Sequence, residues 1–389
     1  MRILFCNDTY PGCFGKMPSL LASNPDNQVM FLSFYPRQDK AGPGIIHARL
    51  KIDRNRSTPG MDAYTEEWNK AMRLAQQACR TFFHIRESGF IPDMIFVSFA
   101  DGPALFLRHA FPEAFIVSYL GITRTKHETR TEKLNALMDI QKAQITQSNL
   151  YFVRSESQKQ HFPTMLHSVI HVRPQHVDTE FFSPRPGDLS LFFPRTPELW
   201  NGELITFHMK GLSAGSHDMR QVILGLLAHR PHCLIVLFFG NGTSKAVWEP
   251  LHSSLPEEMR SRLLLLGGLD LQAYRNMLLV SSVHVFPEQT DAPLQGMLET
   301  MSCQTLVMTP VADGEHTVFA DGKNIIDFPE NGSEARLEKI CTVLDHQKDL
   351  DAVKKAGRQY VLEHHSDNIS FMQHLKFVMN EYEKHIAAR

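Results

Sequence analysis

Paired cysteines are missing from this sequence. The six present, Cys6, Cys13, Cys79, Cys233, Cys303 and Cys341, are scattered with no CxxC and no zinc-ligand spacing, which argues against the common structural zinc modules. They read as reduced core thiols. Long apolar runs are also missing: the longest, such as Cys233 to Phe239, are strand-length, far short of the roughly 20 residues a membrane helix needs. Met1–Cys6 breaks at Asn7-Asp8, too short an apolar run for a signal peptide. A cytoplasmic protein is expected, a reading compatible with peripheral membrane contact. Charge of one sign is not in excess, the formal net charge being -2, so no global field gathers phosphates and nucleic acid is not an implied partner. Any anion must be held by a local site. Twenty histidines contain no HExxH, and His167, His171 and His176 straddle a strand and a proline, so metal chemistry is not expected. No short fixed-period repeat appears, which excludes solenoids and propellers.

What is present is an alternation of short β-branched or aliphatic runs with longer amphipathic segments, the signature of βαβ units around a parallel sheet. With 389 residues, the chain has room for two domains of typical size. Arg2–Cys6, Val29–Ser33, Met94–Phe99, Phe115–Tyr119, Leu150–Val153 and Val169–Val172 read as the strands of a first series. Asp62–Glu87 and Glu128–Ser148 read as its main helices. Pro184, Pro186, Pro194 and Pro197 with Gly187 then crowd a stretch that no element interior would tolerate. The expected division is therefore residues 1–183, a linker 184–199, a second domain 200–365 and a final helical segment 366–389. Leu204–His208, Leu234–Phe239, Leu263–Leu266, Val283–Phe286, Thr305–Thr309 and Ile325–Phe328 read as the strands of the second sheet. Phe371, Leu375, Val378, Tyr382 and Ile386 form one stripe on the last helix, which needs a surface to cover it. Two α/β domains facing each other across a cleft is the architecture expected, with the loops at the carboxyl ends of both sheets carrying ligand.

Candidate site residues fall in those loops. After the first strand, Gly12 and Gly15 let backbone approach a ligand closely, although the loop is not GxGxxG and an ordinary βα turn explains either glycine alone. Lys210 follows a strand where a helix should start soon afterwards, a position from which a cation meets a diphosphate. Gly240 and the Gly267-Gly268-Leu269 loop suit a nearby nucleotide and equally suit turns. The sharpest constellation is Phe286 to Glu299. If a helix opens at Pro293 or Leu294, its first amides are available to an anion, Leu294, Met297, Leu298 and Met301 form its buried stripe, and Glu299 lies off that stripe, able to accept hydrogen bonds from a polyhydroxylated ligand.

Asp93-Met94-Ile95 through Leu105-Phe106-Leu107-Arg108, Phe111-Pro112-Glu113-Ala114, Ser155 through Phe162-Pro163, Val177-Asp178 through Phe182-Ser183-Pro184, and Leu298-Glu299-Thr300-Met301 resemble the retaining family-four glycosyltransferases, over nearly the whole chain. The resemblance is closest to the branch beginning like Arg2-Ile3-Leu4-Phe5 followed by Tyr10-Pro11-Gly12-Cys13-Phe14. It implies the GT-B fold, two Rossmann-like domains with a C-terminal helix crossing back to the first. It also implies a nucleotide-sugar donor held without metal or other cofactor, transfer with retention, and a glycan, lipid-linked, protein or small-molecule acceptor in glycan biosynthesis.

By the same resemblance Lys210 faces the diphosphate, Glu299 holds the donor ribose, and Asp291 opens an acid-seven-residues-acid motif. The amides of Gln295, Gly296 and Met297 face the sugar-phosphate end. The sequence departs from the family at Ser98, where a histidine is usual, at Ala100 and Asp101, at Ser216-His217, and at Gly268 in place of arginine. Arg220 is the cation that could compensate at the diphosphate. Catalytic roles are expected at Lys210, Ser98 and Asp101. The altered positions favour a second reading, a weakened accessory or acceptor-recognition subunit, and a sugar-nucleotide epimerase is a third. The basic and acidic residues interleaved from Ile122 to Lys133 read either as a surface for an anionic acceptor or lipid headgroups or as a solvated helix start.

Overall fold

The computed structural model describes the chain except residues 36–41, 52–59, 100, 120–131, 174, 194–201, 210–216, 241–244, 289–294, 312–318 and 331, and except the side chains of 9, 35, 157, 217 and 367–371. The described residues form two compact units, Met1–His176 with Asp367–Arg389, and Val177–Ser366.

In the first unit seven strands make one wholly parallel sheet: β1 (Arg2–Thr9), β2 (Gln28–Tyr35), β3 (Ile45–Arg49), β4 (Met94–Ser98), β5 (Phe115–Tyr119), β6 (Leu150–Val153) and β7 (Ile170–Val172). Their spatial order is β3-β2-β1-β4-β5-β6-β7. The chain thus winds outward from β1 in both directions, and the order reverses between β1 and β4. A parallel sheet covered on both faces needs apolar residues on both sides of each strand. In β1, Leu4 and Cys6 enter one core with Ala78 and Phe82, while Ile3 and Phe5 enter the other with Phe14 and Val378. Phe5 stacks on Phe96 with ring centroids 4.8 Å apart.

The first of these cores is covered by the helix Ala63–Glu87. Asp62 caps it, accepting from the Thr65 amide at 2.9 Å and the Thr65 hydroxyl at 2.7 Å, and Ala71, Leu74, Ala78, Phe82 and Ile85 form its buried stripe. The second is covered in part by the last helix, Asp367–Ala387. Val378 is fully buried there, with Leu375 and Tyr382 packed beside it. Ile386 departs from the expected stripe. It is 48% exposed, since it lies in the final turn beyond the Tyr382 ring that packs on Phe115 at 5.6 Å.

The second unit holds β8 (Leu204–His208), β9 (Leu234–Phe238), β10 (Leu263–Leu266), β11 (Val283–Val285), β12 (Leu306–Thr309) and β13 (Ile326–Asp327). Their order, β10-β9-β8-β11-β12-β13, repeats the winding of the first sheet. All its pairings are parallel. Ile205 and Phe207 enter one core and Leu204 the other.

Of the proline-rich stretch, residues 194–199 lie outside the described residues. Its described part is held by the second unit. Asn276 pairs with Asp188 through both main-chain groups, at 2.6 and 2.8 Å. Arg275 donates to Phe181 O at 3.3 Å and covers the Phe181 ring, and Ser302 Oγ donates to Phe182 O at 2.5 Å. The chain therefore passes into the second unit after His176, seven residues before the end of the first domain read from the sequence. The prolines stop regular structure, but the carbonyls they leave unpaired are taken up by buried side chains of that unit. Among the described residues, no helix is long and apolar enough to cross a membrane.

Candidate functional site

Open α/β sheets bind ligands outside the carboxyl ends of their strands, where the strand order reverses. In the first unit, the register sets Asn7 beside Ser98, Val97 beside Ser118, Tyr119 beside Phe152 and Val153 beside Val172. Ser98 is half-buried at the end of β4, and Asp101 and Gly102 lie in the turn that follows. The Ser98 hydroxyl donates to the Cys13 thiol. That thiol belongs to a solvent-exposed residue, yet desolvation by the surrounding protein raises its pKa above the usual range, opposed by Ser98, Arg154 and Arg173. Gly12, Cys13 and Phe14 make a short 3-10 turn after β1, and the helix Met17–Ala22 follows. Gly12 has φ +59°, and a Cβ there would collide with the Asn7 amide. Glycine is thus required by the fold of the loop itself. Gly15 is exposed with φ +52°.

In the second unit, β8 ends at His208, whose ring stacks on Phe286 with centroids 5.0 Å apart and an interplanar angle of 29°. Lys210 and Ser216 lie outside the described residues, as does Asp291. Gly240 follows β9 with φ +59°. Gly268 is exposed and Leu269 half-buried in the loop before the helix Leu271–Val280. Asp270 caps that helix, accepting from the Ala273 amide at 2.8 Å. Arg220 does not stand out as a loose cation. It lies over the Trp248 ring and donates to Val247 O at 3.4 Å.

The helix bearing Glu299 is described from Gln295 to Ser302. Met297, Leu298 and Met301 are buried and Glu299 is half-buried, as the helical stripe requires; Leu294 lies outside the described residues. The Glu299 carboxylate has protein partners of its own. Gln295 Nε2 donates to its Oε1 at 3.1 Å, and the Tyr274 hydroxyl is hydrogen bonded to it. Burial, with the Glu299 charge beside it, pushes the Tyr274 phenol well above its ordinary pKa. A phenol so placed stays protonated and donates. Donation from Tyr274 and Gln295 fixes the orientation of the carboxylate. Gly296, buried in the same turn, sits where a Cβ would come 2.8 Å from the Tyr274 oxygen. Gln295, Gly296 and Met297 form the first described turn of this helix.

Tyr274 and Arg336 are two residues the sequence reading missed. Arg336, 7% exposed, donates to Pro329 O at 2.8 Å, to Pro287 O at 3.5 Å and to Glu330 O, holding the segment that follows β11. No motif announces either. Beneath the Glu299 helix, His284 is fully buried, and burial together with His208 drives its pKa well below the ordinary histidine value. It is a neutral core residue bonded to Thr206. Among the described residues, no group of three His, Cys, Asp or Glu side chains could hold a metal ion.

Two parallel sheets wound in the same way define the double-Rossmann class found in the GT-B glycosyltransferases. The comparisons agree. Residues 25–182 match the family model described as Glycosyl transferase family 4 group. Sucrose-phosphate synthase from Thermosynechococcus elongatus is similar at TM-score 0.72 and 13% identity, with 100% of both chains covered. HepE from Anabaena, in complex with UDP and glucose, gives TM-score 0.68 and 13% identity over 98% of this chain and 100% of its own. A protein assigned as a UDP-N-acetylglucosamine 2-epimerase from Listeria monocytogenes gives TM-score 0.63 and 14% identity over 98% and 97%. No curated protein matches by sequence. Residues 25–182 thus resemble the family-four glycosyltransferase model, and the chain shares the double-Rossmann fold of these neighbours.

Proposed function

We propose that the protein transfers a sugar from a nucleotide-sugar donor to an acceptor, with retention of anomeric configuration and without a metal ion. The observation that carries this reading is the Glu299 carboxylate, oriented by the Tyr274 hydroxyl and the Gln295 amide on the helix Gln295–Ser302. A carboxylate oriented in this way suits the two hydroxyls of a ribose. The first amides of Gln295, Gly296 and Met297 suit the sugar-phosphate end of the same donor. Lys210 and Asp291 complete the assignment, with Lys210 on the diphosphate. Gly240 and Leu269 are assigned to the nucleotide, and Gly12 and Gly15 remain donor-binding candidates on the first unit.

In such a transfer the bond between the anomeric carbon and the diphosphate breaks as the acceptor oxygen attacks. Negative charge then grows on the departing diphosphate, and stabilising it is the protein's main task. Lys210 and the helix amides supply that stabilisation, and a leaving phosphate oxygen can take the acceptor's proton. A histidine base at position 98 is then dispensable. Neighbours of this fold whose descriptions include UDP or UDP-glucose complexes support the donor class.

One observation favours a second reading, a catalytically weakened accessory subunit: the Ser98 hydroxyl is already bonded to Cys13. Calorimetric titration of UDP, ADP and GDP into the protein, with and without EDTA, tests the proposal. Submicromolar to micromolar binding of one of them, unchanged by EDTA, is expected. Absence of any nucleotide binding gives the accessory reading precedence.

A further inference from the structure

The carboxyl edge of the first sheet carries two guanidinium groups that the donor assignment leaves unused. Arg154 directly follows β6 and Arg173 directly follows β7. The register sets Val153 beside Val172, and the Arg173 amide donates to Val153 O at 2.7 Å, so the two arginines leave adjacent strands side by side. Both are half-buried. Neither forms an ion pair with a carboxylate among the described residues. Both act electrostatically on Cys13, the exposed residue of the β1 loop bonded to Ser98, which places them over the same edge as β1 and β4.

Arg173 is held rather than loose. Its Nε donates to His176 Nε2 at 3.2 Å, its guanidinium lies 5.4 Å from the centre of the Tyr119 ring, and it hydrogen bonds the Tyr119 hydroxyl. Tyr119 in turn is tied to His374 Nε2 of the last helix at 2.6 Å. The Tyr119 and His374 rings beside the guanidinium are uncharged at neutral pH. The Tyr119 phenol is pushed up by burial and His374 is pushed down to about 2, chiefly by burial with Arg173 beside it. A half-buried guanidinium held against uncharged rings is costly to maintain in a folded protein unless an anion joins it.

We infer that this edge of the first unit binds a phosphoryl group carried by the acceptor substrate, with Arg154 and Arg173 as its two charge partners and the Ser98 and Cys13 side chains at its floor. The inference rests on the glycosyltransferase reading for the word acceptor, and on the first unit alone for the anion. Two planar guanidiniums match a phosphoryl group, whose several oxygens accept from both at once, better than a carboxylate, which one arginine saturates.

The probe is inorganic phosphate, titrated calorimetrically into the full chain at constant ionic strength, with and without saturating UDP, against a parallel titration with acetate. One phosphate site, undiminished by UDP and preferred over acetate, is expected. Arg154→Gln and Arg173→Gln should each weaken it about ten-fold or more, the loss of a charge-assisted contact. Arg154→Lys and Arg173→Lys, which keep the charge and guard against a folding defect, should bind between those extremes. No phosphate binding by the wild type overturns the inference. So does displacement of phosphate by UDP, equal binding of acetate, or unchanged affinity in both glutamine variants. The UDP titration on the same protein reads the donor assignment separately: phosphate bound without UDP removes the donor reading and keeps the anion site, and UDP bound without phosphate does the reverse.

Discussion

Replacing Tyr274 by phenylalanine removes one oxygen atom from the second unit and nothing else. The ring keeps its packing on Phe238, with centroids 5.3 Å apart, and on Phe182 at 6.2 Å. What disappears is the hydroxyl that donates to Glu299. A hydrogen bond to a charged group contributes about 1.5–3 kcal/mol. Gln295 still holds Oε1 at 3.1 Å, so only part of that contribution should be lost to the ligand. About 1 kcal/mol, or roughly five-fold in nucleotide affinity, is the expected cost.

The effect should depend on its target: in a Glu299→Gln background the Tyr274→Phe change should weaken binding by less than about two-fold, because the oriented charge is already gone. Titration calorimetry on the four proteins of this cycle, with the nucleoside diphosphate alone, measures the coupling. Additive losses would refute the argument that Tyr274 acts through Glu299. Unchanged affinity in Tyr274→Phe, alongside a clear loss in Glu299→Gln, would show that the carboxylate needs no positioning by the phenol.

Lys210→Ala should weaken nucleoside diphosphate binding by roughly ten- to over a hundred-fold, and Glu299→Gln by less, since an amide still accepts one bond; calorimetry without sugar or acceptor reads both. Ser98→His should leave the melting temperature within a few degrees of wild type and change turnover of donor, measured by release of nucleoside diphosphate; identical turnover would remove Ser98 from the site. Val378→Asp places a charge at a fully buried position on the last helix and should cost about 3 kcal/mol or more, seen as a lower melting temperature with aggregation. Acid should destabilise the first unit through His374. Its folded-state pKa, about 2, lies below the unfolded value near 6.5, so the unfolded chain binds the proton more readily and stability falls as pH drops below about 6.5. Between pH 7 and pH 5 the loss from this residue is on the order of 2 kcal/mol. His374→Gln should flatten the dependence of melting temperature on pH, and an unaltered slope would count against it.

The two sheets were legible because parallel strands buried on both faces read as unbroken apolar runs, as in Leu234–Phe238. β3 was not, and the reason is physical. It is an edge strand whose residues are all half-buried or exposed, so Ile45-Ile46-His47-Ala48-Arg49 lacks the contrast that marks a core strand. The end of the last helix was misread for a related reason: helical spacing identifies a face but not where its covering surface stops, and Ile386 lies past it.

Glycines and charges at strand ends were legible as candidates because Gly12 and Gly240 stand where the backbone turns with positive φ. Tyr274 was not legible. It reaches Glu299 across 25 positions of sequence only because two helices of one sheet face are packed together, and no spacing rule spans that distance. Arg154 and Arg173 likewise become a pair only when the order β5-β6-β7 makes their strands neighbours.

Titration of UDP, ADP and GDP into the wild-type protein and its Lys210→Ala and Glu299→Gln variants tests the central claim most directly. The account predicts that wild type binds one nucleoside diphosphate and that both variants bind it more weakly, Lys210→Ala most of all. Equal affinity in all three proteins would contradict it.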